Sequence, residues 1–236
     1  MALGRVVTLD ALGTLVELYP PAPLLADELQ ARGAQVGERQ AAAAIAEEIA
    51  YYRAHHDMGA DMASLALLRV RCAEVLRAAL ERAGADLGEL SLPGVLEALL
   101  AALRFAPYPE VPDALRALRK RGHRLVVVSN WDVSLHEMLD RSGLSELVDG
   151  AVSSAEAGAA KPDPEIFRRA LALVEGSAEG GMHAGDSPEH DVAGALAAGL
   201  QPVLVDRGAR DGAPTRGLPA GVHVIGSLAE LAALAA

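Results

Sequence analysis

The chain has 236 residues, of which 51% are hydrophobic, so it can bury a sizeable core as one large domain or as a core with a smaller insert. Its formal net charge is −11 and it has no run of basic residues, which argues against proteins that bind nucleic acids or membrane surfaces. Cys72 is the only cysteine, so a disulfide within the chain is excluded and a reducing, cytoplasmic location is predicted. The apolar run before Asp10 is too short for a signal peptide or a membrane span.

The first half of the chain predicts one strand followed by helices. Residues 5–9 are apolar and rich in β-branched side chains, which predicts a buried strand ending at Asp10. Residues 24–104 are rich in Ala, Leu, Glu and Arg with helical spacing, which predicts three to five helices bounded by proline clusters. The predicted domains are therefore a core of residues 1–16 and 107–236 and a helical insert of residues 17–106.

Beyond this insert, strands and helices alternate. The predicted strands are residues 125–128, 148–153, 182–184, 202–205 and 222–225, and the predicted helices are residues 113–121, 134–142, 164–174, 192–198 and a last C-terminal helix. Such alternation is typical of a parallel sheet with right-handed crossovers. The predicted fold class is α/β, with a doubly wound parallel sheet and an inserted all-helical domain.

Polar and charged side chains stand where the predicted strands end. Asp10 follows the first strand, Ser129 and Asn130 end the second, Lys161 lies in a loop near the third, and Asp186 follows the fourth. In a doubly wound sheet, ligands bind outside the carboxyl ends of the strands. We therefore expect these residues, with the nearby Asp191, to converge on one site.

The residue types at these strand ends indicate attack by a carboxylate on an anionic substrate. An aspartate such as Asp10 can form a covalent intermediate, provided that its charge is screened from the substrate. A Mg²⁺ ion held by Asp10 and Asp186 would screen it. The Lys161 ammonium and the Ser129 hydroxyl are suited to phosphate oxygens. Thr14, beyond a tight turn at Gly13, is expected to bond back across that turn and is a candidate substrate-binding residue.

The use of lysine and asparagine adds weight to two of these residues. Lys120 and Lys161 are the only lysines in the chain, and Asn130 is the only asparagine. A residue type that the chain otherwise avoids is a better candidate for a chemical role than a common one.

The chain resembles the haloacid dehalogenase superfamily through four motifs. They are Asp10-Ala-Leu-Gly-Thr-Leu15, Val126-Val-Val-Ser-Asn130, Lys161-Pro-Asp-Pro-Glu-Ile-Phe167 and Gly185-Asp-Ser-Pro-Glu-His-Asp-Val-Ala-Gly-Ala195. Each motif alone is weak, but all four in order are specific. The resemblance implies a hydrolase with a Rossmann-like core and, in the position of the helical insert, a subfamily I cap domain.

The resemblance also implies a role for each matching residue. Asp10 would be the nucleophile, Ser129 would bind the transferring group with Asn130 beside it, and Lys161 would orient Asp10 and neutralise charge. The metal ligands would be Asp10, the backbone carbonyl of Leu12, and Asp186, supported by Asp191. The implied substrate is a small phosphorylated molecule, and the implied cofactor is Mg²⁺.

Leu12 departs from the pattern of the family's phosphatases, which carry a second aspartate there as general acid and base. Leucine cannot transfer a proton, and losing general acid catalysis costs roughly 10²–10⁴-fold. A 2-haloacid dehalogenase, which acts through an aspartyl ester without metal, releases a halide and needs no such acid. Three interpretations therefore stay open: a Mg²⁺-dependent phosphatase, a dehalogenase, and a protein that keeps the fold but binds without catalysing. The aspartates of the fourth motif favour the first.

Further residues have weaker signals for substrate binding. The helical insert contains the cluster Tyr51-Tyr52-Arg53-Ala54-His55-His56, from which Arg53 and His56 are predicted to help choose the substrate. Trp131, the only tryptophan, can line the pocket or simply pack. His183 is expected to be a core histidine with satisfied hydrogen bonds. Residues 207–221 are expected to form a surface loop without an assigned function, and the sequence does not indicate the oligomeric state.

Overall fold

The computed structural model describes residues 5–208 and 217–234. The chain divides into two compact units, one comprising the residues up to Glu17 and from Ala106 onward, and the other comprising Leu18–Phe105. The first is called the core unit below, and the second the helical unit. Residues 209–216 of the predicted surface loop lie outside the described residues.

Six parallel strands form the sheet of the core unit, and two short strands pair with each other where the chain passes between the units. In chain order, the strands are β1 (Val6–Leu9), β2 (Val16–Leu18), β3 (Phe105–Pro107), β4 (Arg124–Ser129), β5 (Gly150–Ser153), β6 (Met182–Gly185), β7 (Gln201–Val205) and β8 (His223–Ile225). The large sheet has the order β5-β4-β1-β6-β7-β8, and β2 pairs with β3. The strand order reverses beside β1, which in such sheets is where ligands bind.

The helical unit packs its four α-helices around leucine and alanine side chains. The helices are α1 (Pro21–Ala31), α2 (Glu38–His55), α3 (Met62–Arg82) and α4 (Leu92–Ala102). Leu25, Leu29, Leu76 and Leu99 are almost fully buried in this core. The observed number of helices lies within the predicted range of three to five.

The α-helices of the core unit lie between its strands, except for the last, which follows β8. They are α5 (Val111–Lys120), α6 (Leu135–Arg141), α7 (Ser154–Ala157), α8 (Pro164–Leu173), α9 (Ala193–Ala197) and α10 (Leu228–Leu234). Strands β1 and β4 are buried on both faces apart from Arg124 at the start of β4, as expected for a parallel sheet covered by helices. Phe167 of α8 is fully buried in a cluster with Val126 and Val128 of β4. The predicted α/β fold class is confirmed.

The sequence did not predict β2 and β3. Each has only three residues, and β3 ends in a proline, so neither produces a run that alternation can identify. In the described ranges, no helix is both long and apolar enough to cross a membrane.

Candidate active site

A tight turn follows β1 and carries Asp10 to the carboxyl edge of the sheet. The amide of Asp10 still donates to Ala184 of β6 at 2.9 Å, which fixes the start of the turn. The carbonyl of Ala11 then accepts the amides of Leu15 and Val16 at 2.8 and 2.9 Å. Gly13 adopts a positive φ of 85°, and a Cβ there would lie 2.2 Å from Asp186 Oδ2. A glycine is therefore required at position 13, where the turn passes Asp186.

Lys161 and Ser129 both contact one oxygen of Asp10. Lys161 Nζ donates to Asp10 Oδ1 at 2.6 Å, and Ser129 Oγ donates to the same oxygen at 3.0 Å. All three side chains are buried. This arrangement holds Oδ1 and so fixes the orientation of the Asp10 carboxylate.

Asn130 holds the backbone of Lys161. Its amide Nδ2 donates to the Lys161 carbonyl at 3.0 Å, and its Oδ1 accepts the Lys161 amide at 2.7 Å. The pair of bonds ties the end of β4 to the loop that carries the lysine. Both polar atoms of the Asn130 side chain are thus engaged with the backbone of that loop, and a catalytic role for Asn130 stays a prediction.

Asp186 and Asp191 complete a cluster of carboxylates with Asp10. One oxygen from each lies within 4.8 Å of the other two. Asp191 Oδ1 accepts from Lys161 Nζ at 2.6 Å, and its Oδ2 accepts from the Ser187 amide at 2.9 Å. Asp186 is the exposed member of the cluster, whereas the other two are buried.

Burial and neighbouring charges shift the pKa values of the three aspartates and of Lys161. Burial raises the pKa of Asp10, against the opposing effect of Lys161. Burial alone would lower the pKa of Lys161, but Asp10 and Asp191 raise it, so the amine is protonated. Burial alone would also raise the pKa of Asp191, but Lys161 and His183 bring it well below its usual value. The pKa of Asp186 is raised to about 6 by partial loss of hydration, and further by the charges of Asp10 and Asp191.

These carboxylates fit a magnesium ion. Mg²⁺ takes oxygen ligands and is usually held by one or two carboxylates together with substrate and water oxygens. The exposed Asp186 and the second oxygen of Asp10 suit that role. Both oxygens of Asp191 accept hydrogen bonds, so Asp191 is better suited to hold Lys161 than to bind the ion directly.

His183 joins the cluster, a connection that the sequence did not predict. Its Nε2 lies 2.9 Å from Asp191 Oδ1, and its Nδ1 lies 2.9 Å from Thr8 Oγ1. It is a buried histidine with satisfied hydrogen bonds, as expected, but one partner belongs to the candidate site. The parallel register of β1 and β6 places His183 beside Thr8, two residues before Asp10. Pairing these two strands in the sequence could therefore have shown that His183 lies near the site.

Two other predicted site residues of the core unit are fully or nearly buried. Thr14 Oγ1 has no hydrogen-bond partner within the described residues, so the expectation that it bonds back across the turn is wrong. Backbone amides close the turn in its place. Trp131 is 7% exposed, and its indole Nε1 donates to Ser134 Oγ at 3.3 Å. Substrate binding by either residue stays a prediction.

Arg53 and His56 lie at the end of α2 and in the short 3₁₀ turn that follows it, in the helical unit. Arg53 is exposed. The ring of His56 lies 6.1 Å from that of Tyr52, and the ring of His55 stacks on Tyr51 at 4.1 Å. Their predicted contribution to substrate choice is not tested by these contacts.

All four motifs lie in the core unit, and comparison with known proteins identifies the family. A family model described as haloacid dehalogenase-like hydrolase matches residues 5–199. The chain therefore belongs to the haloacid dehalogenase-like hydrolases, and the family resemblance is confirmed.

Individual relatives differ in their named activities. Haloacid dehalogenase-like hydrolase domain-containing protein 3 of Bos taurus is 46% identical over 91 residues, which cover 39% of this chain and 36% of the relative. Phosphoserine phosphatase of Thermus thermophilus is 39% identical over 108 residues, covering 45% of this chain and 43% of the relative. This chain thus spans less than half the length of both curated relatives. The crystal structure of a 2-haloacid dehalogenase from Pseudomonas syringae superposes with a TM-score of 0.64 and 26% identity, covering 97% of this chain and 96% of the other.

Proposed function

We propose that the chain is a Mg²⁺-dependent phosphatase of a small phosphorylated metabolite, with Asp10 as its nucleophile. The observation that carries this proposal is the cluster of Asp10, Asp186 and Asp191 oxygens within 4.8 Å of one another. Like charges this close repel one another, and Lys161 neutralises only part of them. A bound divalent cation would supply the missing positive charge and allow an anionic phosphate to approach.

Residues of the turn after β1 and of the loop after β6 would hold that ion. Asp10, the backbone carbonyl of Leu12, and Asp186 are its proposed ligands. Asp191 would support the site through Lys161, with which it shares a 2.6 Å contact. A halide-releasing enzyme that works without metal has no use for an exposed third carboxylate at this position, so Asp186 favours the phosphatase.

The reaction begins with attack by Asp10 on the phosphorus of a phosphomonoester. A bond forms between phosphorus and Oδ2, while the bond from phosphorus to the alcohol oxygen breaks and its electron pair leaves with the alcohol. Lys161 and Ser129 hold Oδ1, so they keep the attacking oxygen oriented. Water then attacks phosphorus in the aspartyl-phosphate, which restores the carboxylate and releases inorganic phosphate.

Leu12 sets a limit on the leaving group. The departing alkoxide needs a proton, and leucine cannot donate one, so the proton has to come from solvent. The missing acid costs roughly 10²–10⁴-fold for a poor leaving group and less for a good one. We therefore propose that the site works best on phosphates with acidic leaving groups.

The presence of Leu12 also supports a second candidate, a 2-haloacid dehalogenase. In that reaction Asp10 attacks the carbon that bears the halogen, the carbon–halogen bond breaks, and the halide leaves with its electron pair without protonation. Water then hydrolyses the aspartyl ester. This reaction uses Asp10 and Lys161, but it gives no role to Asp186.

Phosphate release from an aryl phosphate, with Mg²⁺ and with EDTA, tests the proposal. We expect turnover only with Mg²⁺, and we expect Asp10→Asn to lower kcat by at least about 10³-fold, because a neutral amide is a poor nucleophile. Asp113→Asn is the matched control, since the Asp113 side chain is 89% exposed and lies on α5. Turnover that persists in EDTA or in Asp10→Asn would contradict the proposal.

Two further measurements separate the alternatives. Halide release from 2-haloacids without metal, in a chain that hydrolyses no phosphate ester, would establish the dehalogenase. If neither product appears, binding of beryllium fluoride or vanadate decides between a competent phosphoryl site and a non-catalytic binding protein. Failure to bind either would favour the non-catalytic protein.

A further inference from the structure

Arg207 contacts the turn that carries the nucleophile, although it lies almost 200 residues further along the chain. Its Nε donates to the Gly13 carbonyl at 3.1 Å, and its Nη2 donates to the Thr14 carbonyl at 2.6 Å. It follows β7, whose carboxyl end lies on the same edge of the sheet as the end of β1. The predicted surface loop without function thus begins with a residue bound to the candidate site.

Two other side chains hold the guanidinium of Arg207 in place. Its Nη1 donates to Glu110 Oε1 at 2.7 Å, and its central carbon lies 3.3 Å from the centroid of the Tyr108 ring. The amide of Tyr108 donates in turn to the Leu15 carbonyl at 3.1 Å. Because an ion pair, a cation–π contact and two backbone bonds all act on one planar group, its orientation is fixed.

The position of the turn matters because it passes the carboxylate of Asp186. The Gly13 backbone approaches so closely that a Cβ would lie 2.2 Å from Asp186 Oδ2. Inside the turn, three backbone amides donate to the carbonyl of Ala11 and the Gly13 amide donates to the Val16 carbonyl. The carbonyls of Gly13 and Thr14 are bound by Arg207. Arg207 therefore restrains the part of the turn that Gly13 and Thr14 form.

We propose that Arg207 is a positioning residue that holds the turn after Asp10 at its working distance from Asp186. This inference rests on the proposed function, in which Asp10, the Leu12 carbonyl and Asp186 bind the metal ion. The distances between these ligands then determine how well the ion is bound. Among the described residues, Arg207 has no hydrogen bond to Asp10, Leu12 or Asp186. It acts through the backbone of Gly13 and Thr14.

The proposal predicts a specific change when the guanidinium is removed. In Arg207→Gln, the Mg²⁺ dissociation constant should rise and kcat should fall, each by roughly 10-fold or more, as is usual for groups that orient metal ligands. The KM for an aryl phosphate should change less than kcat, since Arg207 contacts only the backbone carbonyls of the turn and the side chains of Glu110 and Tyr108 among the described residues. Arg207→Lys keeps the charge without the planar fork, so it should restore only part of the loss.

The experiment measures Mg²⁺ binding by calorimetry, kcat and KM, and amide hydrogen exchange of the peptide that contains residues 11–16. Arg116→Gln is the matched control, because Arg116 pairs with Asp113 on the exposed face of α5. We expect faster exchange in the turn of Arg207→Gln, with the same protection in β4, and wild-type behaviour in the control. Should Arg207→Gln fail to fold, Arg207→Lys and Glu110→Gln provide the same readouts with a smaller change.

Two results would overturn the inference. One is wild-type exchange in the turn of folded Arg207→Gln. The other is faster exchange together with wild-type Mg²⁺ affinity and kcat, which would make the contact merely structural. If the wild-type chain hydrolyses no phosphate ester, the proposed function fails by itself, and turn exchange and Mg²⁺ binding still decide the role of Arg207.

Discussion

Two buried carboxyl groups, Asp191 in the core unit and Glu48 in the helical unit, are almost equally removed from solvent, at 2% and 3% exposed. Burial alone would raise the pKa of Asp191, but Lys161 and His183 bring it well below its usual value. Burial raises the pKa of Glu48 from 4.5 to about 7, and a hydrogen bond with Cys72 opposes this only weakly. The neighbours, rather than the depth of burial, therefore decide whether a buried acid is charged near neutral pH.

The two acids differ in pKa because Asp191 has charged and polar partners in the candidate site, whereas Glu48 lies in the apolar core of the helical unit. Asp191 meets a lysine, a histidine and a backbone amide. Glu48 lies on α2, whose buried face belongs to the leucine and alanine core of the helical unit. A carboxylate kept ionised beside Lys161 can orient that lysine towards Asp10. A carboxyl group with a pKa of about 7, such as Glu48, is only half ionised at neutral pH and is less suited to such a purpose.

Replacing Lys161 should have the largest effect, because it removes the cation that Asp10 and Asp191 share. In Lys161→Met, two buried carboxylates lose their partner, which costs about 3–5 kcal/mol of stability in buried pairs. We expect kcat to fall by at least about 10³-fold as well. Fluorescence of Trp131, the only tryptophan, reports unfolding of the core unit that contains it.

The natural control is Lys120→Met, which alters the only other lysine, an exposed residue at the end of α5. This variant should match the wild type in both measurements. Without Lys161, repulsion between the carboxylates lowers the free energy of unfolding. Added Mg²⁺ should therefore stabilise Lys161→Met more than Lys120→Met, because the cation can replace part of the missing positive charge. Equal stability of the two variants would show that the buried charges of the core unit are not coupled as proposed.

Replacing Glu48 should give the next largest effect, and only at higher pH. Since the native pKa of about 7 exceeds the unfolded value of 4.5, the folded state binds the extra proton between these values. The wild type therefore loses stability as pH rises above about 4.5, and the loss is complete above about 7. Glu48→Gln stays neutral, so its stability relative to wild type should rise across this window by up to about 3 kcal/mol, at ~1.4 kcal/mol per pKa unit.

Denaturation followed by far-UV circular dichroism at pH 5 and pH 8 measures this effect. Glu47→Gln is the matched control, because Glu47 is the neighbouring residue on α2 with a side chain that is 52% exposed. A constant difference between Glu48→Gln and wild type at the two pH values would mean that Glu48 ionises normally in the folded state. In that case the contrast with Asp191 would disappear.

The sequence predicted the candidate site residues that lie at the ends of strands. Asp10 and Asp186 could be found because each follows an apolar run, and the parallel sheet brings their strands together as β1 and β6. Lys161 could be found from its loop near the third strand and from the rarity of lysine, and Asp191 from its place shortly after Asp186. The structure places these two residues in contact. Their catalytic and metal-binding roles stay predictions.

The residues that the sequence missed depend on partners that are distant in the chain. His183 contacts Asp191 because the chain turns after β6 and brings Asp191, eight residues later, back to the strand. It contacts Thr8 because of strand register. Arg207 binds carbonyls of a turn whose backbone conformation no sequence pattern specifies. The same limit applies to Glu48, since helical spacing shows that it lies on α2 but not that the opposing residue is Cys72.

The smallest expected effect concerns Cys72, whose side-chain hydrogen bond with Glu48 favours the charged carboxylate. Cys72→Ala removes that bond, so the pKa of Glu48 should rise further. Cys72→Ser substitutes a stronger donor, so the pKa should fall towards its usual value. The coupling in a double-mutant cycle with Glu48→Gln should be about 0.5–1.5 kcal/mol, the range for a single hydrogen bond.

Carbon-13 NMR titration of the Glu48 carboxyl measures both shifts directly, with Glu47 as an internal reference. Opposite directions in the two Cys72 variants would show that one weak donor sets part of the pKa, as Lys161 and His183 do more strongly for Asp191. Shifts in the same direction would assign the effect to altered packing around a substituted side chain. The pKa of Glu48 would then depend on burial alone, and the two buried acids would differ because only Asp191 has polar partners that act on its charge.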